Sequence, residues 1–148
     1  MLGFLFRETM RGTYYLFDAP LDERAIEFSL VVRSRGIRRF MRDRVASITG
    51  EVTLEKLAMR RPLDGTLGLH LREGRLPYEF TFQGDDGTGY RFRGQKEYTL
   101  LAPAESVSTL PASLYDHEGR EIGRSVVRFD LRADTSRFMK SFRLELSF

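Results

Sequence analysis

The stretch Tyr78-Glu79-Phe80-Thr81-Phe82-Gln83-Gly84-Asp85-Asp86-Gly87-Thr88-Gly89-Tyr90-Arg91-Phe92-Arg93 decides the fold. Tyr78, Phe80 and Phe82 alternate with Glu79, Thr81 and Gln83, and the pattern resumes with Tyr90 and Phe92 between Arg91 and Arg93. Period-two alternation puts one set of side chains on a buried face and the other in water, as in an antiparallel sheet. Gly84-Asp85-Asp86-Gly87 between the two runs has the composition of a hairpin loop.

The same alternation extends outward in both directions. It recurs at Ile26, Phe28, Leu30 and Val32, at Leu67, Leu69 and Leu71, at Val127, Phe129 and Leu131, and at Phe142, Leu144, Leu146 and Phe148. Glu73-Gly74 and His117-Glu118-Gly119 mark further turns, and Pro62 with Asp64-Gly65 marks a bend. Nine strands are expected, over 10–17, 25–34, 45–54, 65–72, 76–83, 89–98, 107–116, 122–132 and 141–148. Two short helical turns are expected as well. One lies within Gly36–Arg44, where Ile37, Phe40, Met41 and Val45 have helical spacing, and one follows Asp134-Thr135-Ser136. Gly12, Gly50, Gly65, Gly68 and Gly94 fall in or beside strands and point to sharply bent strands. The expected fold is a single all-β domain over 1–148. It is an antiparallel β-barrel of eight or nine strands, lipocalin-like or a closed sandwich.

Composition narrows the function. The chain has 148 residues, no Cys and no Trp, which excludes a disulfide framework, a thiolate metal site and a Cys nucleophile. Met1–Phe6 is apolar but is cut short by Arg7 and Glu8, and no run approaches the ~18 apolar residues of a bilayer-spanning helix. The expected compartment is the cytoplasm. Net charge is only +3, so nucleic acid is not an expected partner. The basic residues are 21 Arg against 3 Lys. Arg33, Arg35, Arg38, Arg39, Arg42 and Arg44 crowd into one segment with Asp43 as the sole acid. Such a basic patch, interleaved with Phe40 and Met41, suits peripheral contact with anionic lipid headgroups, or it is a solvated face. Most other arginines alternate outward on strands.

The order and spacing of several motifs over about residues 6–146 resemble a domain that accompanies sterol-oxidase-like flavoenzymes of the glucose–methanol–choline oxidoreductase family. The motifs are Phe6-Arg7-Glu8-Thr9-Met10-Arg11-Gly12, Ile26-Glu27-Phe28-Ser29-Leu30, Phe40-Met41-Arg42-Asp43 and Ile48-Thr49-Gly50-Glu51-Val52. Pro62-Leu63 with Gly65-Thr66-Leu67, Leu76-Pro77-Tyr78-Glu79-Phe80 and Gly89-Tyr90-Arg91-Phe92-Arg93-Gly94-Gln95-Lys96 continue the series, and Thr109-Leu110 and Ile122-Gly123-Arg124 close it. The flavin domain is missing, as is any dinucleotide-binding fingerprint that opens a helix. The resemblance therefore implies an accessory role near lipid or sterol oxidation, beside a separately encoded flavoenzyme, without oxidase activity or a cofactor of its own.

The candidate sites follow. Phe28, Phe80, Phe82, Tyr90, Phe92, Phe129 and Phe142 line one face if the strands close. That face is either a packed core or the wall of a cavity for an apolar molecule, since a barrel of this size can fill its interior or hold one small ligand. The resemblance tilts the ligand towards a lipid or steroid-like molecule. His70 reads as an outward strand position and His117 as a turn residue. No nucleophile elbow and no paired metal ligands accompany them. The expected function is a non-enzymatic accessory or binding protein. The alternative is a solid-cored module that docks to a flavoenzyme or self-associates.

Overall fold

A computed structural model describes residues 2–34, 36, 38, 42–70, 73–97, 109–129 and 143–146. They form nine strands: β1 (Leu2–Leu16), β2 (Ala19–Arg33), β3 (Val45–Leu54), β4 (Ala58–Gly68), β5 (Arg75–Gln83), β6 (Gly89–Glu97), β7 (Thr109–Tyr115), β8 (Glu121–Arg128) and β9 (Arg143–Leu146). Each of β1–β7 pairs antiparallel with the next in sequence, and β8 returns to β1. The sheet is thus an eight-stranded closed barrel. On the side away from β2, Arg11–Leu16 of β1 pairs with β8 and Leu2–Leu5 pairs with β9. Between these two segments lies Phe6–Met10, which carries Glu8.

Closure demands strong coiling, and inward-facing glycines permit it. A Cβ at Gly12 would sit 1.9 Å from the Val126 carbonyl oxygen. A Cβ at Gly50, where φ is 152°, would sit 1.9 Å from that of Ser29. A side chain at either place would push neighbouring strands apart.

The alternation around Gly84–Gly87 reads through to the structure. Tyr78, Phe80 and Phe82 point inward and are buried, and Phe80 pairs with Phe92 across β5 and β6. The turn is held by Gly84 N donating to Thr88 O at 2.8 Å and Thr88 N donating to the Asp86 carboxylate at 2.9 Å.

Four expected boundaries differ in the structure, the first being that β2 begins at Ala19, not at 25. β1 begins at Leu2, not at 10. Its start shows no alternation because the outward side is covered as well: Gly3 and Leu5 are buried there, and Ser34 exchanges hydrogen bonds with the Phe4 backbone. β4 begins at Ala58, not at 65. The bend expected at Pro62 and Asp64-Gly65 is instead the middle of that strand, where Leu63 and Leu67 point inward. Pro62 stands just outside the Leu63–Leu67 stretch that pairs with β5, a place where a residue lacking an N–H is tolerated. β4 also stops at Gly68, short of 72, and His70 makes only an isolated bridge to Arg75. Within the expected helical turn at 36–44, Arg38, Arg42 and Asp43 are helical, whereas Ile37, Phe40 and Met41 lie outside the described residues. The turn expected after Asp134 lies outside them too.

Candidate functional site

The barrel has two unlike ends. At the lower end the chain turns at 17–18, 55–57, 84–88 and 116–120. The upper end is where β2, β4, β6 and β8 finish and β3, β5, β7 and β9 start. Inward side chains fill the middle and lower parts. Phe80 stacks on Phe92 with centroids 4.6 Å apart, and Phe28 meets both edge-on at 5.3 Å. All three rings are fully buried. Such pairs add ~0.5–1.5 kcal/mol each beyond burial. Below them Phe82 stacks with half-buried Tyr90, and the Tyr14 hydroxyl donates to the Glu55 carbonyl. These rings cover one another, so this part of the aromatic face is core.

Above the rings the interior changes character. Glu8 of β1, Tyr78 of β5 and Lys96 of β6 meet inside the barrel. In the strand order, β1 lies opposite β5, so the contact crosses the interior from wall to wall. The Tyr78 hydroxyl donates to Glu8 Oε1. Lys96 Nζ lies 3.5 Å from Glu8 Oε2, and the two side chains are only 3% and 8% exposed. The ammonium also sits 5.1 Å from the Tyr78 ring centroid and 5.9 Å from that of Phe129. Removal from water, then the adjacent Glu8 charge, then the hydrogen bond to Glu8 hold the Tyr78 phenol well above its usual range. It therefore remains a donor at any physiological pH. A buried ion pair loses hydration that mutual attraction only partly restores, so this trio is a costly thing to build into a small core.

Beyond the trio, towards the upper end, Val32 and Leu76 are buried, whereas four other apolar side chains are incompletely covered. Phe4 and Phe6 stand on β1 above Glu8, with ring centroids 6.0 Å apart, and Leu69 follows β4. These three and Phe129 pack against the core yet stay half-buried. The result is a polar crossbar under an apolar rim.

The remaining expected residues fall elsewhere. Arg33, Arg38 and Arg42 are exposed near the upper end, Arg44 is half-buried, and Arg42 pairs with Asp43 at 3.2 Å. Arg35, Arg39 and Phe142 lie outside the described residues. His70 is half-buried at the upper end and His117 is exposed in a lower turn, so the two are not brought together. Among the described residues, no group of three or more His, Asp or Glu side chains is placed to hold a metal ion. An open groove of about 790 Å³ runs outside β4–β7, lined in part by Arg61, Gln83, Arg91 and His117. Arg61 and Arg91 there already pair with Asp85 at 3.0 Å and Glu79 at 3.4 Å.

No family model matches the chain, and no curated protein matches it. Among solved structures, a redesigned β-barrel, mFAP1, bound to DFHBI, is similar. The likeness has a TM-score of 0.49 and 12% identity, and covers 82% of this chain and 92% of that one.

The polar trio escaped the sequence reading. Lys96 continues the inward series Tyr90, Phe92, Gly94, and a lysine at an inward strand position is the signal that could have found it. Glu8 shares the inward parity of Met10 and Tyr14 but preceded the expected start of β1.

Proposed function

We propose that the protein is a non-enzymatic binding barrel that holds an apolar, lipid-like molecule in the upper part of its interior. The observation that carries this reading is the half-buried rim of Phe4, Phe6, Leu69 and Phe129 above a buried polar trio. Ligand pockets are mostly apolar with a few placed polar groups, and barrel mouths are a recurrent location for them. The resemblance to flavoenzyme-associated domains supports a role in lipid or sterol oxidation, as a cytoplasmic accessory of a flavoenzyme. The test is solvent extraction of the purified protein followed by mass spectrometry, together with titration by a neutral apolar fluorophore. A stoichiometric extracted lipid, or saturable fluorophore binding, is the expected result. Failure of both removes the reading.

The filled middle and lower barrel favours a second reading, a solid module that works through its outer surface. Sedimentation and pull-down with a candidate flavoenzyme separate the two: a complex without any small-molecule binding selects the second.

A further inference from the structure

The buried trio leaves hydrogen-bonding capacity unused, and its charge balance restricts what can use it. An ammonium has three N–H groups to satisfy. Among the described residues, Lys96 Nζ has one oxygen within reach, Glu8 Oε2, at the long distance of 3.5 Å. The faces of Tyr78 and Phe129 lie near it, at 5.1 and 5.9 Å. Aromatic faces attract a cation but replace an oxygen acceptor incompletely. Tyr78 spends its single proton on Glu8, so it has none to offer a newcomer. Lys96 is thus the donor left over, 3% exposed, beneath the apolar rim.

Glu8 and Lys96 together carry no net charge. An incoming carboxylate would place a third, uncompensated charge in the barrel, beside Glu8, and burial of an unpaired charge is strongly unfavourable. A hydroxyl or carbonyl oxygen accepts from Lys96 without that penalty, and a hydroxyl can return its own proton to Glu8. Resting on the binding role proposed above, we infer that the ligand is an uncharged apolar molecule with one oxygen-bearing end, an alcohol or ketone. That end hydrogen-bonds to Lys96 while the apolar body lies against Phe4, Phe6, Leu69 and Phe129. The barrel discriminates against fatty carboxylates.

The test uses the full chain at neutral pH and displacement of Nile red. The competitors are a long-chain primary alcohol, the fatty acid of the same length and the alkane of the same length. The alcohol is expected to compete about tenfold more tightly than either, the worth of one buried hydrogen bond to a charged donor. In the double variant Glu8→Gln/Lys96→Met, alcohol and alkane are expected to compete within about twofold of each other. An acid that competes as well as the alcohol overturns the inference and leaves the binding role standing. So does an alcohol advantage that survives in the folded double variant. If the variant does not fold, the alcohol-to-acid ratio of the unaltered protein decides alone. If Nile red and all three competitors fail to bind, both the inference and the binding role fall.

Discussion

The lower and upper ends of the barrel are made from the same strands yet solve different problems. Below, short turns are locked by their own residues. The Asp116 carboxylate accepts from the Glu118 and Arg120 backbone N–H groups at 2.9 Å, and Gly119 supplies a φ of 81°. The core behind them is ring against ring. Above, a charged pair is buried beneath the half-covered rings of Phe4, Phe6 and Phe129. The lower end is organised for closure. The upper end carries a buried charged pair that closure alone does not require.

The contrast can be broken most directly at the rings. Phe92→Ala empties the middle of the stack and should cost ~3–5 kcal/mol in a denaturant titration. Phe6→Ala, on the half-buried rim, should cost about 1 kcal/mol, since less surface returns to water. Equal costs would erase the distinction between core and rim.

The charged crossbar gives the next test. Lys96→Met alone strands the Glu8 carboxylate and should destabilise by ~3–5 kcal/mol, while the double change Glu8→Gln/Lys96→Met should come within about 1 kcal/mol of the parent. A single variant as stable as the double would show that the pair is not dry in solution.

Alkaline titration sharpens the same point. In the folded protein the Tyr78 phenol is raised above its ordinary 10.0, first by burial and then by Glu8. Above pH 10 the unfolded chain releases that proton and the folded one keeps it, so stability falls as pH rises from there. Tyr14 and Tyr90, also raised chiefly by burial, add to the slope in the same direction. Tyr78→Phe should flatten the fall between pH 10 and the onset of general alkaline unfolding, read as Tm against pH.

The smallest effect is expected at the lower turns. The Asp116 carboxyl is held below its usual range, chiefly by the Arg120 backbone N–H and, after opposing desolvation, by that of Glu118. The stability it lends is present above pH 3.8 and is lost as pH falls through its lowered value. Asp116→Ala should remove that small acid-side slope and leave ligand binding untouched, as measured by Nile red titration at neutral pH.

The strands from Leu76 to Arg93 were legible because their inner and outer faces meet different solvents, so residue type follows position. The same logic failed at Gly3 and Leu5, whose outward side is buried too, and at Arg60-Arg61-Pro62, where no apolar residue alternates before the inward Leu63. It found the aromatic face but not the crossbar. Tyr78 and Lys96 lie 70 and 88 residues from Glu8 in sequence, and only closure of β8 onto β1 sets them face to face. Residue type announces burial strand by strand, whereas the pairing across a barrel depends on its stagger. The arginine excess was readable for the opposite reason, since it lies on the solvated side. Arg11 meets Glu27 at 3.2 Å and Arg91 meets Glu79 at 3.4 Å, exposed contacts worth ~0–1 kcal/mol each.

Having one of only three lysines inside the barrel also supplies a built-in chemical gauge. Lys56 is 59% exposed and should acylate at once with an amine-selective reagent. Lys96 reacts only when the wall or the rim opens, so its labelling rate, followed by peptide mass spectrometry, times the breathing of the upper end. A molecule seated on the rim would slow that clock at Lys96 and leave Lys56 running.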